Sequence, residues 1–332
     1  GQPTIIMHGV KRVRHSPEAL AAKKAKEQDK IKDYLALTDE ILGKRDAGDL
    51  SREAFDLTTR ILQMNPEFYT VWNYRRNILL GNIFPSSTPV QTNDLLTEEL
   101  SMTTVALKLH PKVYWIWNHR RWCLLNVPDG PNDHVNGWRQ ENWDKEMFVV
   151  NKMLDVDPRN FHAWSYRRHI LANMPVARPD AEELAYTTHK IESNFSNFSA
   201  WHHRTKLLTS LWASGELNRV ETKEEEYELV HNAMYTDPSD QSVWIYHRWL
   251  VGTDEDVPVL EREMSIIQEL LDEQPDSKWC MESLVHYKRM LLLRDASRDV
   301  EATKDECRHL LQELKTLDPA RRKRYEEMEQ QL

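Results

Sequence analysis

Glycine is scarce in this chain, with nine residues in 332, and phenylalanine is scarcer still at seven against twelve tryptophans. With 29% charged residues, that composition suits long helices with solvated outer faces and argues against a sheet protein. Cysteine is nearly absent. Cys123, Cys280 and Cys307 form no C-x-x-C pair and no metal-ligand spacing, which excludes a disulfide scaffold and fits a reducing compartment. No apolar run reaches 18 residues, so no helical membrane span is expected. No secretory leader is visible either, and a cytoplasmic location is the expectation. Catalytic signatures are missing: there is no G-x-G-x-x-G, P-loop, H-E-x-x-H or G-x-S-x-G phrase. A net charge of −9 makes nucleic acid an unexpected partner.

What the chain does contain is a repeating phrase. It reads NPEFYTVWNYRR around Trp72, HPKVYWIWNHRR around Trp117 and DPRNFHAWSYRR around Trp164. It returns as NFSNFSAWHHR around Trp201 and DPSDQSVWIYHR around Trp244. Pro66, Pro111, Pro158 and Pro238 each precede their tryptophan by six residues, and Phe195 takes that place in the fourth phrase. The tryptophans are 45, 47, 37 and 43 residues apart. Periods of that size mark stacked helical repeats, each unable to bury its apolar face alone.

Residues 17–45 read as a first helix closed by Gly48, and 51–64 as a second stopped by Pro66. The same helix pair recurs to about residue 320, giving some six pairs. Each X-Pro step marks the turn between the two helices of a pair, and an Asp or Asn there could also cap the helix that follows. The sixth phrase is degenerate, because Trp279 follows Pro275 by four residues instead of six. Two stretches, 81–94 and 127–140, read as loops. GQPTII at 1–6 reads as a foreign remnant before a natural start at Met7. Residues 7–50 then form an N-terminal segment, 51–320 one helical-repeat domain, and 321–332 the end of a C-terminal helix.

A tryptophan at one fixed place in every repeat reads as structural filling between helix pairs. Three and four residues beyond each come Arg75 and Arg76, Arg120 and Arg121, Arg167 and Arg168, Arg204 and Thr205, and His247 and Arg248, on the same helix face. An internal ion-pair ladder is the favoured reading of these cations, over a positive wall facing an anionic ligand. His202-His203 reads as part of a repeat phrase and not as a metal site. The acidic run Glu221 to Glu228 reads as a solvated helix start.

The phrase P-x-x-x-x-x-W-[NSHI]-x-R resembles the repeat of protein prenyltransferase alpha subunits. The stretches NFSNFSAWHHR at 194–204, DPSDQSVWIYHRWLVG at 237–252 and DSKWCMESL at 276–284 resemble most the Rab geranylgeranyltransferase (type II) branch, as does a start at Met7-His8-Gly9. The short form of fungi fits, since this chain has neither the immunoglobulin-like nor the leucine-rich domain of animal members. The resemblance implies an all-α alpha-alpha superhelix, a crescent-shaped right-handed solenoid of antiparallel helix pairs wrapped around an obligate beta subunit. It implies zinc held by the beta subunit, no metal in this chain, and activity only as a heterodimer. The implied reaction moves geranylgeranyl from its diphosphate to C-terminal cysteines of Rab GTPases presented by Rab escort protein. Lys112 and Tyr114 match the family's residues near the diphosphate, and so do Asn160 and His162. Repeats four to six, about 180–295, and the edge formed by Glu221 to Glu228 are where the resemblance would put the escort protein. Two alternatives stand beside this. One is the alpha subunit shared by farnesyltransferase and the type I enzyme. The other is a non-enzymatic helical-repeat adaptor, which a strict tetratricopeptide period of about 34 residues would have favoured.

Overall fold

A computed structural model describes residues 15–131, 136–295 and 298–332. The segment before Met7 and the expected natural start lie outside these residues. Among the described residues all regular structure is helical. After α1 (Pro17–Asp46) come the pairs α2 (Arg52–Met64) with α3 (Tyr69–Ile78), and α4 (Pro89–Leu109) with α5 (Tyr114–Leu125). Next are α6 (Gly137–Val156), α7 (Phe161–Asn173), α8 (Asp180–Ser193) and α9 (Phe198–Ala213). Then follow α10 (Arg219–Thr236), α11 (Gln241–Val251), α12 (Val257–Glu273), α13 (Lys278–Arg294), α14 (Val300–Leu317) and α15 (Arg322–Gln330). α1 packs on α2, and α13 on α14. This is the helix-pair architecture of the alpha-alpha superhelix class.

The chain divides into two compact units. One comprises the residues up to Lys152 with Ser165–Val176, the other Met153–Trp164 with Ala177–Leu332. Within the first, α2 packs on α3 and α4 on α5, and α3 also touches α5. Within the second, α8 packs on α9, α10 on α11, α12 on α13 and α14 on α15, while α11 touches both α9 and α13. Helices joined by so short a turn and packed along their length run antiparallel.

The turns are built alike. The residue before the proline ends the first helix, and its side chain folds forward. Asn65 accepts from the Glu67 N–H at 3.1 Å, Asp157 from Arg159 at 3.2 Å and Asp237 from Ser239 at 3.1 Å. Asn194, which has no proline after it, does the same for Ser196 at 3.1 Å. So these residues do not cap the helix that follows. That helix starts three residues after the proline, and its caps are Asn160, Asn197, Asp240 and Ser277, accepting from Ala163, Ala200, Ser242 and Cys280. Pro319 is the exception, standing at the first position of a short 3-10 turn. The stretch expected as a loop at 81–94 is partly helical. A π turn spans Leu79–Ile83, and Thr88 with Gln91 forms a capping box ahead of Pro89 at the first turn of α4.

Each repeated tryptophan is buried and its indole N–H is spent on this turn. Trp72 donates to the Pro66 carbonyl at 2.8 Å, Trp117 to Pro111 at 3.0 Å and Trp164 to Pro158 at 2.7 Å. Trp201 donates to Phe195 at 2.6 Å and Trp244 to Pro238 at 2.8 Å. The six-residue spacing is the reach of this bond. It uses the carbonyl and not the ring, which is why Phe195 can stand where proline stands elsewhere. In the degenerate repeat, the place six residues after Pro275 belongs to Met281, which is buried without needing an acceptor, while Trp279 is only half-buried.

Candidate functional site

The cations after each tryptophan point inward. Arg75, on α3, reaches the Thr58 and Thr59 hydroxyls of α2 at 3.0 and 2.5 Å and grips Glu99 of α4 at 2.9 and 2.5 Å. Arg120 repeats this one pair later. It donates to Thr103 at 2.7 Å, Thr104 at 2.9 Å and the Leu100 carbonyl at 2.5 Å, and through Nε and Nη2 to Glu146. Arg204 does so with Thr187, Thr188 and Glu226. In the third repeat Asn151 takes the hydroxyls' place against Arg167. All four arginines are buried.

A second side chain, from the helix that follows, meets these carboxylates and also Glu183. Two residues past the tryptophan, His119 reaches Glu99 at 2.8 Å, Tyr166 donates to Glu146, His203 reaches Glu183 at 3.0 Å and Tyr246 donates to Glu226 at 2.5 Å. Their rings lie against the previous repeat's tryptophan. Trp72–His119, Trp117–Tyr166, Trp164–His203 and Trp201–Tyr246 centroids are 4.6, 4.9, 6.0 and 4.5 Å apart. Glu99, Glu146 and Glu226 thus each fix the register of two successive helix pairs. This is the ion-pair ladder, and its arginines are committed to it. Glu226 of the acidic run belongs to it as well, and Glu224 pairs with Arg262 at 2.8 Å.

Burial alone would raise the Glu99 carboxyl, but hydrogen bonds from His119 and Arg75, and the Arg75 charge, outweigh it and hold it at about 2. Burial pushes His119 down from its ordinary 6.5, more than Glu99 pulls it up. The imidazole is therefore neutral at pH 7. Arg76 Nη1, which can only donate, sits 3.2 Å from His119 Nδ1, so the proton is on Nε2 and points at Glu99. Both groups have depressed folded values. Stability from them is present above their unfolded values and is lost as the pH falls. The expected profile is therefore flat above about 6.5, declines below it, and drops further between 4.5 and about 2, where Glu99 contributes on the order of 3 kcal/mol. Denaturant midpoints at pH 7.5, 5.5 and 3.5 (roughly one in each window) read this out. A chain as stable at the lowest of them as at neutrality would contradict it.

The residues matched to a diphosphate site lie on the turns instead. Lys112 is exposed on the turn between α4 and α5, and among the described residues it has no ion pair. Tyr114 opens α5 with its ring edge-on to Trp115, centroids 5.0 Å apart. Both belong to the first unit. Asn160 and His162 lie on the equivalent turn in the second unit. Asn160 is buried, and its Oδ1 caps α7. His162 is half-buried, its ring centroid 6.0 Å from that of Phe161. Within each turn the two matched residues stand two positions apart in the sequence.

One feature of these turns is easily overlooked in the sequence. The first residue of the second helix is an exposed aromatic in four successive repeats: Tyr69, Tyr114, Phe161 and Phe198, each between 47% and 67% accessible. In the fifth and sixth repeats it is Gln241 and Lys278. The signal lies in plain view, three residues before each tryptophan. An apolar cavity of about 410 Å³ in the first unit, lined by Leu62, Pro66, Trp72, Met102 and Leu109, includes none of the four matched residues. No helix among the described residues is long and apolar enough to cross a membrane.

Comparison with known proteins agrees with the repeat. The family described as protein prenyltransferase alpha subunit repeat matches residues 51–81, 96–127, 143–174, 180–211 and 223–254. The chain is 39% identical over 350 aligned positions to the geranylgeranyl transferase type-2 subunit alpha of Schizosaccharomyces pombe, covering 98% of both chains. It is 41% identical to the subunit of that name from Bos taurus, over 74% of this chain and 42% of the other. Among solved structures, a chain of Candida albicans protein geranylgeranyltransferase-I complexed with GGPP shares the fold. The TM-score is 0.68, with 23% identity and 90% of each chain covered.

Proposed function

The chain belongs to the protein prenyltransferase alpha-subunit family, and on that premise we propose that it is the alpha half of a type-2 geranylgeranyl transferase. The observation that carries this is its likeness to the fission-yeast type-2 subunit, 39% identical along 98% of both lengths. In this reading the chain works with a beta subunit. The exposed aromatics on four successive turns are apolar surface that such a partner would cover. The acceptor is a cysteine near the C-terminus of a Rab GTPase presented by an escort protein, and the donor is geranylgeranyl diphosphate, in the cytoplasm. These likenesses do not favour the farnesyltransferase-type and adaptor readings.

Zinc held by the beta subunit would bind the acceptor cysteine and favour loss of its thiol proton, making that sulfur the nucleophile. The thiols of this chain do not suit that task. Cys123, Cys280 and Cys307 are buried, and burial raises all three above the ordinary thiol value. What this chain contributes is charge and donors for the leaving group. As the carbon–oxygen bond to the diphosphate breaks, negative charge grows on the departing oxygens. Lys112, unpaired by any carboxylate of its own turn, offers an ammonium on a long stem, and Tyr114 a phenolic O–H beside it. Asn160 and His162 are the second such pair. Asn160 Oδ1 is committed to capping α7, which fixes that side chain on its turn.

The chain alone is expected to transfer no lipid, and co-expression with a type-2 beta subunit is expected to restore turnover. Assays of both preparations test this. Turnover by the pure chain, or failure to co-purify with that beta subunit, would overturn the reading.

A further inference from the structure

The fifth repeat breaks the ladder in a chemically specific way. Where Arg75, Arg120 and Arg204 stand three residues past their tryptophans, this repeat has His247. Where Thr59, Thr104 and Thr188 receive those arginines, it has His231. The two changes place two imidazoles on one carboxylate. His231 Nε2 of α10 and His247 Nε2 of α11 lie 2.5 and 2.9 Å from the same oxygen, Oε1 of Glu263 on α12. The three ligand atoms fall within 4.8 Å of one another. Glu263 and His247 are fully buried, and His231 is partly accessible. A ladder rung sets an arginine against a hydroxyl or, in the third repeat, an amide oxygen. Two histidines and a glutamate from three helices are instead a set of borderline nitrogen and hard oxygen donors, the kind that takes zinc-like ions.

We propose that His231, His247 and Glu263 form a binding site for a borderline divalent metal ion of the zinc type, distinct from the residues matched to the diphosphate. Bonds of 2.0–2.1 Å in a tetrahedron put ligand atoms about 3.3 Å apart, so an ion enters by spreading each N···O contact by less than roughly an ångström and setting the two nitrogens, now within 4.8 Å, at that same separation. The fourth position goes to solvent on the accessible His231 side. Both imidazoles are needed neutral, with Nε2 unprotonated. For His247 this requires only a change of tautomer. Its Nδ1 is 2.6 Å from the Tyr287 hydroxyl, which can accept from a proton-bearing nitrogen as readily as it donates to a bare one. Tyr287 would then orient the ligand, the usual task of a group behind a metal-bound histidine. The second Glu263 oxygen is held by Arg262 Nε at 3.1 Å, and that guanidinium is shared with Glu224 at 2.8 Å, which offsets its charge near a cation. A bound ion would tie α10, α11 and α12 together where the arginine rung is missing.

The test is titration of the full chain with Zn²⁺ by calorimetry and with Co²⁺ by visible absorption, on protein whose fold is verified by circular dichroism. Wild type is expected to bind one equivalent and give the intense absorption bands of a tetrahedral cobalt site. His231→Ala, at the accessible rim, is expected to abolish those bands and weaken affinity by at least about tenfold, and His309→Ala, a surface control on α14, to change nothing. Tyr287→Phe removes a single oxygen and is expected to weaken affinity by roughly 10- to 100-fold while keeping the bands. No saturable binding by wild type, or binding equal in His231→Ala, would overturn the site.

Discussion

Replacing Arg120 by methionine is expected to cost the fold about 3–5 kcal/mol, the usual loss when one partner of a buried ion pair is removed. The residue is 1% exposed and so is Glu146, its partner. Methionine would fill much of the volume, so the cost is not a cavity. It comes from a carboxylate left in a low dielectric with only the Tyr166 hydroxyl for compensation, and from three acceptors, Leu100, Thr103 and Thr104, that lose their donor. The second substitution makes this specific. Adding Glu146→Gln to Arg120→Met should recover part of the loss, because a neutral amide needs no counter-charge and still accepts from Tyr166. Urea denaturation of the two variants reads the difference. A double variant no more stable than Arg120→Met would show that the charge on Glu146 is not what Arg120 serves.

Lys112→Ala is expected to act in the opposite manner, leaving stability unchanged and slowing transfer. Lys112 is solvated on its turn, so its removal breaks no buried contact. If its ammonium meets the departing diphosphate more strongly than the bound one, the loss falls on the chemical step and not on lipid affinity. Losing one donor to developing charge costs about 2.7–4 kcal/mol, or roughly a hundred- to thousandfold in rate. Tyr114→Phe should cost less, since neighbouring donors stand in for one hydroxyl. Single-turnover kinetics with the assembled heterodimer separates the steps. An unchanged transfer rate in Lys112→Ala would return the residue to a solvated surface lysine.

The second helix of each pair is readable from sequence because its phrase is local. Tryptophan, proline and arginine lie within nine residues, and the Trp–carbonyl bond spans six of them. The first helix carries a phrase of its own, a glutamate four residues ahead of two threonines, complete at Glu99-Thr103-Thr104 and Glu183-Thr187-Thr188. That phrase is not legible in the same way, because its meaning is not local. Glu99 is 24 residues from Arg75 and 20 from His119, and nothing in a helical period states that both will converge on it. The turn caps differ from the sequence expectation for a related reason. Asn65 or Asp157 before proline can either cap forward or fold an Asx turn, and only the start of the next helix decides. The candidate site residues are legible through family resemblance alone. Nothing that Lys112 does within the fold marks it, since what it would serve lies on another molecule.

The type-2 assignment itself is tested most directly by the choice of acceptor. The heterodimer of this chain with its beta subunit should be given geranylgeranyl diphosphate and either a Rab protein with escort protein or a short C-a-a-X peptide. Transfer to the escorted Rab, with little or none to the peptide, is the predicted result. Efficient modification of the peptide, with the escorted Rab left unmodified, would contradict the assignment and favour the alpha subunit shared by farnesyltransferase and the type I enzyme.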